Sequence, residues 1–303
     1  MKFSIWPNPE RPPAEVLELA RLGDDEGWFG FWYADHYMPN TGDTDVADGD
    51  VHECWSILPA IAVVTERIRL GPLVAPTSVH HPALLANRAA TIDQLSNGRF
   101  VLGVGAGWQV NEHGAFGIDL EEPKVRVDRF EEAIQIMRSL LSEDRTDFAG
   151  THYTITDAPC QPRPVQERLP LLVGTGSPRM LRITARHAEE WNTWGAPELA
   201  GERHATFVEQ CERVEVDPSS LHTSVQAMVV MTDDAEVVAN MEANDGADRM
   251  IVGSDERIID AMNAYAELGF DEVTVPDFTL GRTAEARADA YRHFAGAIAP
   301  HVT

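Results

Sequence analysis

Cysteine is scarce in this sequence. Cys54, Cys160 and Cys211 are the only three among 303 residues. They are scattered and odd in number, which argues against a disulfide framework, and no CxxC spacing suggests zinc. No run of about 18 apolar residues occurs, so no transmembrane helix is expected. The opening MKFSIWPNPERPP lacks the apolar stretch of a signal peptide, and a soluble cytoplasmic protein is expected. Basic residues are few, with 24 Lys and Arg against 49 Asp and Glu and a net charge of −25. So acidic a surface repels phosphate backbones and anionic lipid, which makes nucleic acid and membranes poor partners. A small molecule is left as the expected partner. An anionic cofactor stays compatible, because backbone N–H groups and helix N-termini bind anions without net positive charge.

What the sequence does contain is alternation. Short apolar runs read as strands at Phe3–Trp6, Phe29–Ala34, Arg69–Val74, Phe100–Gly105, Pro170–Gly174, Glu190–Thr193, Ser224–Met231 and Glu272–Pro276. Arg249–Val252 is a further short run. Amphipathic stretches lie between them: Leu58, Ile61, Ala62 and Thr65 keep helical spacing, as do Phe130, Ile134, Met137 and Leu141. Helices are also expected over Ala83–Leu95, Pro178–His187, Glu256–Leu268 and Ala284–Ile298. Strands alternating with helices predict βαβ units, and about eight of them favour a closed (β/α)8 TIM barrel in one domain over residues 1–303. Residues 143–169 are Pro-rich and break the pattern, with a small hairpin expected over Phe148–Ile155. They read as an insertion between units four and five.

Chemistry in such barrels sits where strands end and βα loops begin. Strand two ends in Tyr33-Ala34-Asp35-His36-Tyr37, a carboxylate beside an imidazole that suits proton transfer near neutral pH and equally suits turn capping. His80 and His81 follow strand three, but neighbours in an extended segment point opposite ways and rarely bind one metal ion. Strand four runs into Gly103, Gly105 and Gly107, then Trp108, Asn111 and Glu112. Alternate glycines permit close approach by a flat ring or by another backbone. Their spacing is not GxGxxG, so a nicotinamide Rossmann site is not indicated. Strand five ends in Gly174-Thr175-Gly176-Ser177-Pro178, which reads as an anion site at a helix start or as plain N-capping by Ser177. Strand six ends in Trp191-Asn192-Thr193-Trp194. With Trp6, Trp32, Tyr37 and Trp108, Trp194 suggests an aromatic wall, or ordinary packing. Strand one lacks the HxH that a metal-dependent hydrolase barrel would carry.

Together these loops resemble the luciferase-like monooxygenase superfamily, and within it the F420-dependent oxidoreductases. The matching stretches are Glu26–His36, Arg67–Gly71, His81–Ala86, Leu95–Phe100 continuing through Gly107 and Trp108 to Glu112, and Leu172–Gly176 continuing through Ala188–Asn192. The likeness covers the first two-thirds of the chain. It implies coenzyme F420 lying over strands three and four, with a non-prolyl cis peptide at Leu73–Val74 behind the ring. It implies the acidic tail near Gly174–Ser177, and Asp35 and Asn111 at the ring's polar edge. Gly105, Gly107, Trp108 and Asn192 complete the expected cofactor site, His36 is the expected acid/base and Glu112 the second candidate. In sugar-phosphate dehydrogenases that use this cofactor, a Glu follows the strand-four glycines as proton donor. Trp108 stands there, which speaks against that reaction. An FMN-dependent monooxygenase on the same scaffold is the alternative. Relatives are often homodimers.

Overall fold

The computed structural model describes residues 1–243 and 246–303. One sheet holds nine strand pieces in the order β3-β2-β1-β13-β10-β9-β8-β5-β4. In chain order these are β1 (Lys2–Trp6), β2 (Gly30–Tyr33), β3 (Arg69–Pro72), β4 (Ala75–Pro76), β5 (Leu102–Gly105), β8 (Leu171–Gly174), β9 (Glu190–Trp194), β10 (His222–Gln226) and β13 (Glu272–Pro276). β3 and β4 are consecutive halves of one strand. β5 pairs with β4 through Ala75–Val104 and Pro76–Gly105, and Phe100 bridges back to Leu70. The nine pieces therefore make eight parallel strands closed into a barrel.

Helices follow the strands: α1 (Pro13–Asp25), α2 (Cys54–Val64), α3 (Pro82–Leu95), α4 (Val110–Phe116), α5 (Pro123–Ser142), α6 (Pro178–His187), α7 (Pro197–Glu212), α8 (Ala235–Glu242), α9 (Asp255–Glu267) and α10 (Ala284–His293). Strand residues alternate by face. Ile5, Phe31, Leu70, Leu102, Val104, Leu171, Val173, Val225 and Val273 point outward and pack with the helices in the main core. Trp32, Leu73, Val101 and Leu172 point inward and form a separate cluster with Trp6 and Val74.

Two elements differ from expectation. The run Ser224–Met231 is not one strand. It breaks at Ala227, and its second half, β11 (Met228–Met231), leaves the barrel to pair in parallel with β12 (Met250–Gly253), the run expected near Arg249. The last helix widens to π geometry over Phe294–Ile298. Between α5 and β8, β6 (Thr146–Ala149) and β7 (Thr154–Ala158) form an antiparallel hairpin apart from the barrel sheet.

Asp24 shows how loops are fixed under the barrel. Its carboxylate accepts from the N–H groups of Glu66, Arg67 and Ile68 at 2.9, 2.7 and 2.7 Å, setting the approach to β3. Burial opposes its charge, but these three bonds hold its pKa below the ordinary value. Asp24→Asn is expected to cost about 1.5–3 kcal/mol at neutral pH, the range for bonds to a charged group. A lowered folded pKa stabilises above the unfolded value, near ~3.9, and that advantage disappears as pH falls through the folded value. Urea unfolding should therefore show a gap between the two proteins at pH 7 that narrows in acid.

Candidate active site

The C-terminal ends of the strands form the mouth, and strand three shapes its floor. The Leu73–Val74 peptide between β3 and β4 is cis. Val74 reaches across the barrel top. A Cβ added at Gly103 or Gly174 would lie 3.2 Å from its methyl groups, and one at Gly105 would lie 2.9 Å away. Backbone approach is closer still, since a Cβ at Gly103 would sit 2.0 Å from the Pro72 carbonyl and one at Gly71 2.1 Å from that of Val101. Gly107 has φ +90° and lies against Ser78 Oγ, 2.0 Å from where a Cβ would be. The glycines are thus required by strand three itself. The surface they leave is a shelf made by Val74, which is half-buried with Gly107 and Gly174 beside it.

At the end of β2, Asp35 is 1% exposed. Its Oδ2 accepts from Trp55 Nε1 and from His80 Nε2, both at 2.8 Å. Arg88 Nη1 lies 3.3 Å from the other ring nitrogen of His80. Asp35 Oδ1 is buried and has no hydrogen-bond partner. Tyr37 places its hydroxyl 3.4 Å from His80 Nε2, and burial with the charge of Asp35 pushes its phenol well above the ordinary value.

His36 and Glu112 meet. His36 Nδ1 donates to Glu112 Oε1 at 3.0 Å, and the Tyr37 N–H donates to Oε2 at 2.9 Å. Glu112 is 2% exposed, so its carboxylate is committed to these two donors rather than to the start of α4. The bond fixes the tautomer and leaves Nε2 as the free ring nitrogen. Trp108 stands edge-on to the imidazole with ring centroids 5.7 Å apart, and at 58% exposure it is an uncovered rim residue.

Other expected residues have different surroundings. Asn111 is engaged by a neighbouring loop: its amide donates to the carbonyls of Pro39 at 2.9 Å and Asp45 at 3.3 Å, fastening the long segment after β2. Asn192 lies inside the barrel and donates to Ser224 Oγ at 2.9 Å. Ser177 occupies the N-cap position of α6 with Pro178 in the first turn, yet its hydroxyl makes no capping bond. The Ser177 N–H instead donates to Thr175 Oγ1 at 3.3 Å. Gly176 and Ser177 are exposed, and an added Cβ at Gly176 meets nothing within 4 Å. Of the aromatic residues, Trp32 is no rim residue. It is buried in the barrel and donates to Glu272 Oε1 at 2.7 Å. Trp194 is held between the guanidinium groups of Arg203 and Arg249, 3.6 and 3.8 Å from its ring.

Trp55 and His113 had no sequence signal, and the sequence marks His80 only as a candidate metal ligand. His80 reaches Asp35 from the loop before α3, and Trp55 from the first turn of α2. His113, buried in α4, donates to the Gln109 carbonyl and lies 2.9 Å from Ser78 Oγ at the rim. His81, in contrast to His80, is exposed and accepts from the Ala83 N–H at 3.2 Å to cap α3. Among the described residues, no group of three or more His, Cys, Asp or Glu is placed to hold a metal ion, and no helix is long and apolar enough to cross a membrane.

Comparison with known proteins gives the fold and the family. An F420-dependent glucose-6-phosphate dehydrogenase of Amycolatopsis mediterranei is 33% identical over 177 residues, 57% of this chain and 51% of its own. The chain spans about half the length of such curated relatives. In fold, the chain matches an F420-dependent secondary alcohol dehydrogenase solved with an F420–acetone adduct, at TM-score 0.85 and 19% identity over 100% of this chain and 99% of that one. A monooxygenase of Streptomyces bottropensis aligns at TM-score 0.81 and 21% identity over 99% of each chain. The family model for luciferase-like monooxygenases matches residues 1–244, and the chain belongs to that family.

Proposed function

We propose that the chain is an F420-dependent oxidoreductase that transfers a hydride between the deazaflavin and a small organic substrate. The whole chain acts as one barrel domain, with residues 143–169 as an insertion segment. The observation that carries this reading is the His36–Glu112 pair, with exposed Trp108 edge-on to the imidazole at the rim. The names of the curated relatives and of the F420-dependent fold neighbour support the cofactor. The donor set at the mouth fits it. A buried Asp35 oxygen lacks a partner, a shelf of Leu73, Val74, Gly105 and Gly107 is free of large side chains, and small residues open at the start of α6.

When bound, the deazaflavin supplies a ring carbon that gives or accepts a hydride. The chain's residues do the rest. Val74 and the glycines support the ring's face. Gly174, Thr175, Gly176 and Ser177 offer N–H and hydroxyl groups to an acidic tail at a helix N-terminus. Asp35 faces the polar edge, Asn111 fastens the loop that carries it, and Asn192 braces the barrel wall beneath Gly174. His36 uses Nε2 to take the proton of a substrate hydroxyl, or to return it in reverse, while Glu112 stabilises the imidazolium. Trp108 walls the substrate side. Cytoplasmic location and homodimer assembly belong to the same reading, the latter supported by exposed Val63, Leu84 and Leu95 on and beside α2 and α3.

Titration of the purified chain with each cofactor tests the reading. Saturable binding of F420, followed by its fluorescence, is expected, with FMN bound weakly. Tight FMN binding with none of F420 reverses it and makes the chain an FMN-dependent monooxygenase.

A further inference from the structure

The barrel interior is divided. One side is apolar, with Trp32, Leu73, Val101 and Leu172. The other side, lined by β9, β10, β13 and β1, is polar from floor to mouth. Parallel pairing puts register partners on one face, so Ser4, Thr274, Gln226 and Ser224 all point inward with Glu272 and Glu190. Thr274 lies in register with Ser4 on one side and Gln226 on the other.

Four buried atoms on this side make no hydrogen bond: Glu190 Oε2, Thr274 Oγ1, Gln226 Oε1 and Trp6 Nε1. They lie on β9, β10, β13 and β1, and Gln226 is four residues beyond His222, the register partner of Glu190, a rise of roughly 13 Å at about 3.3 Å per residue. Buried polar groups in folded proteins are paired, and where protein supplies no partner, ordered water does.

The lower end of this file is charged. Arg69 pairs with Glu190, His222 Nε2 bonds Glu272 Oε2 at 2.9 Å, and Asp271 lies 3.6 Å from His222 Nδ1. Burial pushes the Glu190 carboxyl up against the pull of Arg69. At Glu272 burial is outweighed by His222 and by a hydrogen bond from Ser4, which hold the carboxyl below its ordinary range. A cleft of about 480 Å³ on the face opposite the mouth is lined by Lys2, Phe29, Arg67 and Arg69.

We propose that these four atoms bind a string of ordered water inside the barrel, which carries protons between the mouth and the Glu190–Glu272–His222 cluster. The water site stands on the unpartnered atoms alone, and its use as a proton path rests on the functional reading above. Each hop breaks one O–H bond and forms the next, so a proton entering at Gln226 releases another at Glu190 without oxidant or reductant. The path lets a mouth closed over cofactor and substrate still exchange protons with solvent.

High-resolution diffraction from the full chain decides the water site without cofactor or turnover. Ordered waters within hydrogen-bonding distance of Thr274 Oγ1 and Gln226 Oε1 are expected, and a dry interior overturns the proposal. Thr274→Val then decides the path. It should lower F420-dependent turnover several-fold and raise the solvent deuterium isotope effect, with Thr274→Ser restoring both and cofactor affinity unchanged. A folded Thr274→Val protein with unaltered turnover and isotope effect removes the proton path. Absence of F420-dependent turnover in the unaltered chain counts against the functional reading, and diffraction still decides the water.

Discussion

His36→Asn is expected to lower turnover by roughly 10²–10⁴-fold, the usual contribution of a positioned acid/base. Its Nδ1 is engaged by Glu112, so Nε2 is the imidazole nitrogen free to meet a substrate. Cofactor affinity should change little, because the shelf and the tail site lie on other strands. Glu112→Gln should also lower turnover, by less. It keeps an acceptor for the Tyr37 N–H but removes the charge that stabilises a protonated His36. The loss should fall on kcat more than on KM if both residues act in proton transfer. Steady-state kinetics with F420 beside a binding titration read both. A His36→Asn protein that turns over like the unaltered chain would eliminate the imidazole as acid/base.

Gly103→Ala and Gly71→Ala are expected to destabilise the fold by about 3 kcal/mol or more, at or beyond the upper end of ordinary overpacking. In both, the new methyl group meets a carbonyl of the neighbouring strand near 2 Å, at Pro72 and at Val101. Backbone in a closed barrel cannot yield without opening strand pairing on both sides. Since a domain has only about 5–15 kcal/mol of net stability, poor expression is also expected. Gly176→Ala is the contrast. Nothing lies within 4 Å of its added Cβ, so stability should stay within about 0.5 kcal/mol. Chemical denaturation of the three variants makes the comparison. Wild-type stability in Gly103→Ala would mean that strands three and four do not approach so closely.

Much of the frame was legible in order and period. Phe3–Trp6, Glu190–Thr193 and Glu272–Pro276 became strands β1, β9 and β13, and Pro178–His187 became α6 at the expected limits. Hydrophobic period and turn residues are local signals, and barrel closure follows from enough βα units in succession. The run Ser224–Met231 was misread as a single strand because its apolar character continues through the bend at Ala227. Nothing local marks a strand that leaves one sheet for another.

The sequence by itself determined the barrel, its family and the loops that carry His36, Glu112 and the glycines. The tertiary structure alone decided what those residues touch. It joined His36 to Glu112 across 76 positions, and Asp35 to His80 across 45. It turned Asn111 onto a loop, gave the glycines to Val74, and set four unpartnered polar atoms along one inner wall. Local propensity governs which segment becomes a strand. Which side chains meet is set by the closure of that sheet, which brings together residues whose spacing along the chain carries no signal.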